Sequence, residues 1–445
     1  MASLKKGACV SSQPLHLFSN LKKESAFRSI VIVVFAAIFY CYEFTLQSSP
    51  GVITNELMSD FRIDAASLSI LSAFFFYAYA PTQLIGGMLY DRLGPRTLIT
   101  IATLICALGT IIFALGPNPE VLAVGRLFMG LGGAFSFVGV LILASRWIPL
   151  KYFPLCAGLL QSLGCLGAIF GQVPLAAAIH HFGWRECFVV LAVVGVVLAA
   201  CEFSVIRDWP EHIIQRLKAK SQRVKVDDVA FGQSLKIVFG KKQTYWIALY
   251  AFTVWAPIVV FGALWGIPFI HTAYQISITE ASTVVMLLWL GIAAGSPLFG
   301  VWSSRLGSRK IPLATSGMVG AVAAVIAIYV PMPLPMMYVV MFFFGIGASG
   351  QTLIFSVVKD INQPGVLGTA MGFNNLCVVL GGAICQPLAG FLLRLHWDGL
   401  LDATHNPIYS LGDFKEALII VPIAFALAFF IATFFLKETH CRHTY

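Results

Sequence analysis

Residues 87–96 read GMLYDRLGPR, and 213 residues further on residues 300–309 read GVWSSRLGSR. Gly87, Arg92, Gly94 and Arg96 thus recur as Gly300, Arg305, Gly307 and Arg309. The same offset carries Ala157 to Ala370, Gln161 to Asn374, and the PLA at 174–176 to the PLA at 387–389. One offset linking two short basic loops and two apolar stretches marks a duplicated chain whose halves run in parallel.

The sequence on either side of these loops is apolar. Of 445 residues, 58% are hydrophobic and 11% charged, with a mean hydropathy of +0.85, whereas a soluble domain carries about 25% charged residues. The chain therefore reads as an all-α membrane protein. Stretches long enough to cross a bilayer run near 29–54, 67–90, 96–116, 119–145, 153–179, 185–206, 245–272, 280–302, 311–330, 335–358, 368–394 and 413–436, twelve in all. GPNP at 116–119, PMPLP at 331–335 and QPG at 363–365 place Pro and Gly where helices stop and turn. The expected organisation is an N-terminal segment 1–28, a six-helix bundle 29–206, a linker 207–244, a second six-helix bundle 245–436 and a tail 437–445. The first span lacks a small-residue cleavage site and reads as a retained helix.

Lys and Arg set the orientation. With the N-terminus inside, 24 of the 29 basic residues fall on the inner side, four outside (Arg62, Arg185, Arg394, Lys415), and Arg126 lies within a span. The positive-inside rule then predicts both termini in the cytoplasm. The net charge of +9 is accounted for by topology and anionic lipid headgroups, with no nucleic acid implied. The linker carries nine basic residues against four acids. The ten cysteines contain no C-x-x-C and fall mostly inside spans, where Cys acts as a small hydrophobe. The tail HCRHTY has loosely metal-like spacing but reads as a frayed terminus, and no metal or cofactor is expected.

The pattern Gly87, Leu89, Asp91, Arg92, Gly94, Arg96 after the second span resembles the signature of the major facilitator superfamily, with its degenerate copy correctly placed in the second half. RLFMGLGG from Arg126, Gly164, Gly167, Gly171 and Pro174 in the fifth span, and GWR at 183–185 continue the resemblance over residues 29–436. YEFTLQSSPGVI and ALWGIPFI are similar to nutrient-uptake members of intracellular gammaproteobacteria and, more distantly, to lysosomal dipeptide carriers. The resemblance implies a monomeric multi-pass transporter working by alternating access, with a bacterial inner membrane as its location. It also implies that Asp91 latches the cytoplasmic side, with Arg146 one partner; Ser304 stands where a second Asp would be needed, so the latch should be asymmetric.

Two charges inside spans need explaining, since each costs at least roughly 2.5–3.5 kcal/mol on insertion scales. Counted at 1.5 Å per residue, Glu43 in span one and Arg126 in span four both lie roughly 20 Å from the inner face. An ion pair between them is expected, and if one conformation brings Arg126 close to Glu43 and the other withdraws it, proton binding is tied to which side is open. A structural pair, or Arg126 anchoring an anionic group of the substrate, are the alternatives. Tyr42, Gln47, Tyr77, Gln83, Gln161, Gln172, Trp265, Gln351, Asn374 and Asn375 are candidate cavity-lining residues. These neutral polar groups favour a small polar solute such as an amino acid, short peptide or nucleoside, taken up with protons. An exporter or a uniporter is the alternative, and no second acidic site is obvious. The absence of a phosphate-binding loop and of H-E-x-x-H excludes the commonest signatures of a pump or metalloenzyme.

Overall fold

The computed structural model describes residues 23–148, 153–209, 231–363, 366–401 and 407–441, with 23–26, 87–88, 91–92, 153–157 and 231 described in their helical backbone only. Among the described residues, twelve helices long and apolar enough to cross a membrane run Phe27–Val52, Ala65–Gly86, Pro95–Leu115, Pro119–Trp147, Gly158–Phe182, Trp184–Val205, Lys242–Tyr274, Ile278–Leu306, Lys310–Tyr329, Leu334–Ile361, Leu367–His396 and Leu411–Phe435. They match the expected spans to within a few residues. The helix of the second span runs on to Leu93. The expected linker contains a short helix, Phe231–Phe239, that rests on the eleventh span through Phe239 and Phe373.

Local chemistry sets the span ends. Asp64 accepts the N–H of Ser67, Asn118 that of Val121 and Ser277 that of Glu280, each starting a helix. Ser410 and Asp413 form a reciprocal capping box at the twelfth. In the two repeated loops Gly94 and Gly307 have φ of +76° and +63°, the left-handed region that a side chain resists. The duplication read from the sequence thus reappears as a positive-φ glycine in each loop, although the turns differ in ψ, 153° at Gly94 and 27° at Gly307.

The first six spans meet the last six along two seams, second against eleventh and fifth against eighth. Toward the end carrying the two basic loops (the basic end), Asn375 donates to Gln83 at 2.8 Å and Ser162 donates to the Ala293 carbonyl at 3.0 Å. At the opposite, far end, Arg394 pairs with Asp64 at 3.2 Å and the Ala65 N–H donates to the Tyr409 hydroxyl at 3.0 Å. Within each half, glycines let backbones touch: a Cβ on Gly130 would lie 1.8 Å from the Phe75 carbonyl oxygen, and one on Gly345 1.9 Å from that of Leu288. Burial differs sharply between spans. The most apolar stretch of the seventh is 89% buried inside the protein, that of the sixth 33%.

The seventh span is also irregular. An α-helix over Lys242–Pro257 widens to a π-helix over Ile258–Trp265 before α-helix resumes at Gly266. Such wide turns are rare and cluster at functional sites.

Candidate functional site

Glu43 and Arg126 are both 0% exposed, but the expected ion pair is not formed in this structure. The cause lies in FTLQSSPG. Pro50 has no N–H to donate to the carbonyl of Leu46 four residues earlier, and that carbonyl accepts instead from the Ser49 hydroxyl at 2.9 Å and from Arg126 Nη1 at 2.7 Å. Its Nη2 donates to the Ser72 carbonyl at 3.5 Å, its guanidinium lies over the Phe75 ring at 4.9 Å, and its Nε has no partner. Glu43 Oε2 accepts from the Ser136 hydroxyl at 3.4 Å, and Oε1 has no partner. Glu43 sits three residues from Leu46, so the carboxyl and the guanidinium's anchor are one helical turn apart, a rise of about 4.5 Å. Gly133 makes the room: a Cβ there would lie 2.7 Å from Glu43 Cγ.

Of the other candidates, those at the seam between halves are Gln83, Asn375, Gln172 and Trp265. Gln83 donates to the Ala134 carbonyl and accepts from Asn375. Gln172 donates to the Gly262 carbonyl at 2.5 Å, and Trp265 Nε1 to Ser69 Oγ at 3.1 Å. Gln161 accepts from Tyr40 at 3.4 Å within the first half. Gln47, Gln351 and Asn374 are buried with polar atoms that have no partner. Two candidates are misplaced. Tyr42 donates to the Leu191 carbonyl at 3.0 Å and meets Thr110, so it joins spans one, three and six behind the seam. Tyr77, 42% exposed, stands on the outer surface of the bundle.

Gln386, a further polar residue of span eleven that the sequence marks for the cavity, has its side-chain oxygen buried without a partner, and Nε1 of Trp289, to which the sequence did not point, is likewise buried without one. A second intramembrane acid, Glu202, is 0% exposed and accepts from Thr103 at 2.7 Å; its place inside the sixth span was the available signal. A cavity of about 550 Å³ lies between the halves at the far end, lined by Asn55, Glu56, His271 and Tyr409, with Trp265 on its wall. Burial pushes the Glu56 carboxyl above its ordinary range.

At the basic end the side chains of Asp91 and Arg92 lie outside the described residues. Arg96 donates its backbone N–H to Asp208 at 2.8 Å and stacks on Phe203, while Arg146 lies over Trp209 at 4.3 Å. In the second half Arg305 is exposed and Arg309 pairs with Asp360 at 3.0 Å. Ser304 only bonds back to Gly300; the carboxylate on this loop is Glu438, which accepts the N–H groups of Arg309 and Lys310 and the Ser308 hydroxyl. The tail, expected to fray, is docked as far as Cys441, whose Sγ reaches the Ser303 carbonyl at 3.6 Å; His443 lies outside the described residues.

The chain is similar to the gentisate transporter of Corynebacterium glutamicum, 24% identical over 82% of this chain and 81% of that one. It is similar as well to the hexuronate transporter of Bacillus subtilis, 22% identical over 81% and 87%, and to the probable anion transporter 1, chloroplastic, of Oryza sativa subsp. japonica, 24% identical over 83% and 72%. In fold it resembles a bacterial homolog of the human lysosomal transporter Spinster, solved inward-facing and unoccupied, with a TM-score of 0.73 at 15% identity over 92% of this chain and 98% of that one. The sequence profile of the Major Facilitator Superfamily matches residues 31–272 and 247–443. With twelve membrane-crossing helices and no enzyme among these relatives, the chain is a multi-pass integral membrane transporter that belongs to the Major Facilitator Superfamily.

Proposed function

We propose that this transporter carries a small organic anion together with a proton, by alternating access, with Arg126 receiving the anionic group and Glu43 the proton. The observation that carries the reading is Arg126 itself: fully buried, met by carbonyls and a ring face, with no carboxylate of the described residues within 4.0 Å. A buried cation without an ionic partner is costly, and a bound carboxylate would offset that cost. The gentisate, hexuronate and anion carriers among the relatives support an anion in place of the amino acid, peptide or nucleoside inferred from the polar lining.

Charge balance supports coupling. Empty, Arg126 and an ionised Glu43 sum to zero. With an anion on Arg126 the site is neutral only if Glu43 is protonated. Both loaded and empty sites can therefore cross the hydrocarbon as neutral units, while anion without proton carries a net charge through a low-dielectric interior. Because anion and proton together carry no net charge, the membrane potential does no work on the loaded site and the pH gradient is the driving force: one pH unit supplies about 1.4 kcal/mol, enough for roughly tenfold accumulation. With the basic end in the cytoplasm, the far-end cavity is the approach from outside.

The test is uptake of labelled D-glucuronate and gentisate into proteoliposomes, with and without an inward proton gradient. Wild type should accumulate an anion only with the gradient, Glu43→Gln should exchange without accumulating, and Arg126→Gln should do neither. Uptake that ignores the gradient and survives Glu43→Gln would make the protein a uniporter, and anion uptake unaffected by Arg126→Gln would overturn the assignment of the anion site.

A further inference from the structure

The wide turn of span seven is held by two amides from opposite halves. Gln172 of span five donates Nε2 to the Gly262 carbonyl at 2.5 Å, and Gln386 of span eleven donates Nε2 to the Val259 carbonyl at 2.7 Å. Gln386 immediately precedes its copy of the repeated stretch and Gln172 stands one residue further from its own, as QPLA at 386–389 and QVPLA at 172–176. A carbonyl can only accept, so the amide nitrogens must face span seven and the other end of each amide is fixed as its oxygen. Both oxygens are buried without a hydrogen-bond partner, on side chains 0% and 1% exposed. Beside them stands the opposite kind of orphan. Trp289 Nε1, a donor, has no partner, and its ring reaches the position a Cβ on Gly262 would occupy at 3.5 Å.

Unpaired buried polar groups are rare and each is costly. An ammonium would satisfy the two oxygens and leave the indole; a carboxylate would satisfy the indole and leave the oxygens. A hydroxyl both donates and accepts. Resting on the reading of Arg126 as the anion site, we infer that Gln172, Gln386 and Trp289 form a hydroxyl-recognising subsite, so that the cargo is a polyhydroxylated carboxylic acid of the sugar-acid class. The carboxylate goes to Arg126 and the ring or chain hydroxyls to the wide turn of span seven. Specificity follows from the cost of the alternative: an acid of the same size without hydroxyls would bury these three groups unsatisfied, and sites built to bond a substrate hydroxyl discriminate strongly against its absence.

The experiment uses the purified full chain in proteoliposomes with an inward proton gradient and labelled D-glucuronate, competed by unlabelled D-glucuronate or by cyclohexanecarboxylate, its hydroxyl-free ring counterpart. Competition does not depend on whether the second acid leaks through lipid. Wild type should prefer glucuronate by roughly 100-fold or more. Gln172→Leu and Gln386→Leu should each weaken glucuronate roughly 10- to 100-fold while leaving the half-inhibitory concentration of cyclohexanecarboxylate unchanged. If either variant fails to fold, the wild-type comparison decides alone. Equal competition by the two acids would mean that water satisfies these groups and would overturn the inference while leaving the anion reading intact, as would Arg126-dependent uptake of gentisate with none of glucuronate. Failure of every anion tested, with Arg126→Gln indistinguishable from wild type, would remove the anion reading itself.

Discussion

Replacing Glu438 by Gln tests how the repeated loop of the second half is held. Its carboxylate accepts backbone N–H groups from Arg309 at 2.8 Å, Lys310 at 3.1 Å, and Thr439 and His440 at 3.0 Å, besides the Ser308 hydroxyl. Arg309 and Lys310 open the helix of span nine, whose N-terminal dipole favours a negative charge. Burial works against the ionised form, but the Ser308 hydroxyl and the backbone N–H groups outweigh it and hold the carboxyl at about 2, against 4.5 ordinarily. That difference corresponds to roughly 3 kcal/mol, of which about 1–2 kcal/mol should survive partial solvation of the site. Because the folded value lies below the unfolded one, the stabilisation is fully present above pH 4.5 and is lost as pH falls toward 2. Thermal unfolding of purified protein in detergent should show Glu438→Gln melting a few degrees below wild type at pH 7, with the gap narrowing as the buffer is acidified below 4.5. Equal melting at pH 7, or a gap that widens on acidification, would refute the reasoning.

Gly130→Ala must push span four off span two, because its Cβ would lie 1.8 Å from a backbone oxygen; a loss of about 1–3 kcal/mol in thermal stability is expected. Gly300→Ala, with nothing within 4 Å of the new Cβ, should instead leave stability unchanged or raise it by about 0.5–1 kcal/mol, although both glycines look alike in sequence. Gln83→Leu orphans the Ala134 carbonyl and the Asn375 amide and should cost about 1–3 kcal/mol, again read as melting temperature. Tyr77→Leu, on the outer surface, should change neither melting nor uptake.

Spans were legible because crossing a bilayer demands about 20 apolar residues whatever their arrangement, and the turns between them because Gly94 and Gly307 need a backbone geometry other residues resist. Which way a polar side chain points was not legible. In a soluble helix the apolar face marks the core; in lipid both faces are apolar, so nothing in FYCYEF distinguishes Tyr42, which faces back into its own bundle, from Glu43, which faces span four. The depths counted for Glu43 and Arg126 suggested a contact, but side-chain reach decides it: the guanidinium is taken by the Leu46 carbonyl, to which Pro50 offers no N–H. The carboxylates of Asp208 and Glu438 escaped notice because each is over 100 residues from the loop it serves, a separation no local pattern spans. Ser304, where an Asp was sought, only bonds back to Gly300; the second half places its acids on Asp360 and Glu438 instead.

The uneven covering of the spans gives the chain an uneven tolerance to random change. On the sixth span Val190, Val193, Val194, Val196 and Val197 are more than half or nearly half exposed, and one apolar residue there can drift into another at little cost, since lipid adapts its shape to any of them. On the seventh, 89% of the corresponding stretch abuts other side chains, where a gained or lost methylene is felt. Comparable hydropathy, 2.5 and 2.1, therefore conceals opposite freedoms: libraries seeking altered cargo should draw on the span seven turn and its neighbours one position at a time, while labels, tags for crystallisation and solubilising changes belong on the sixth.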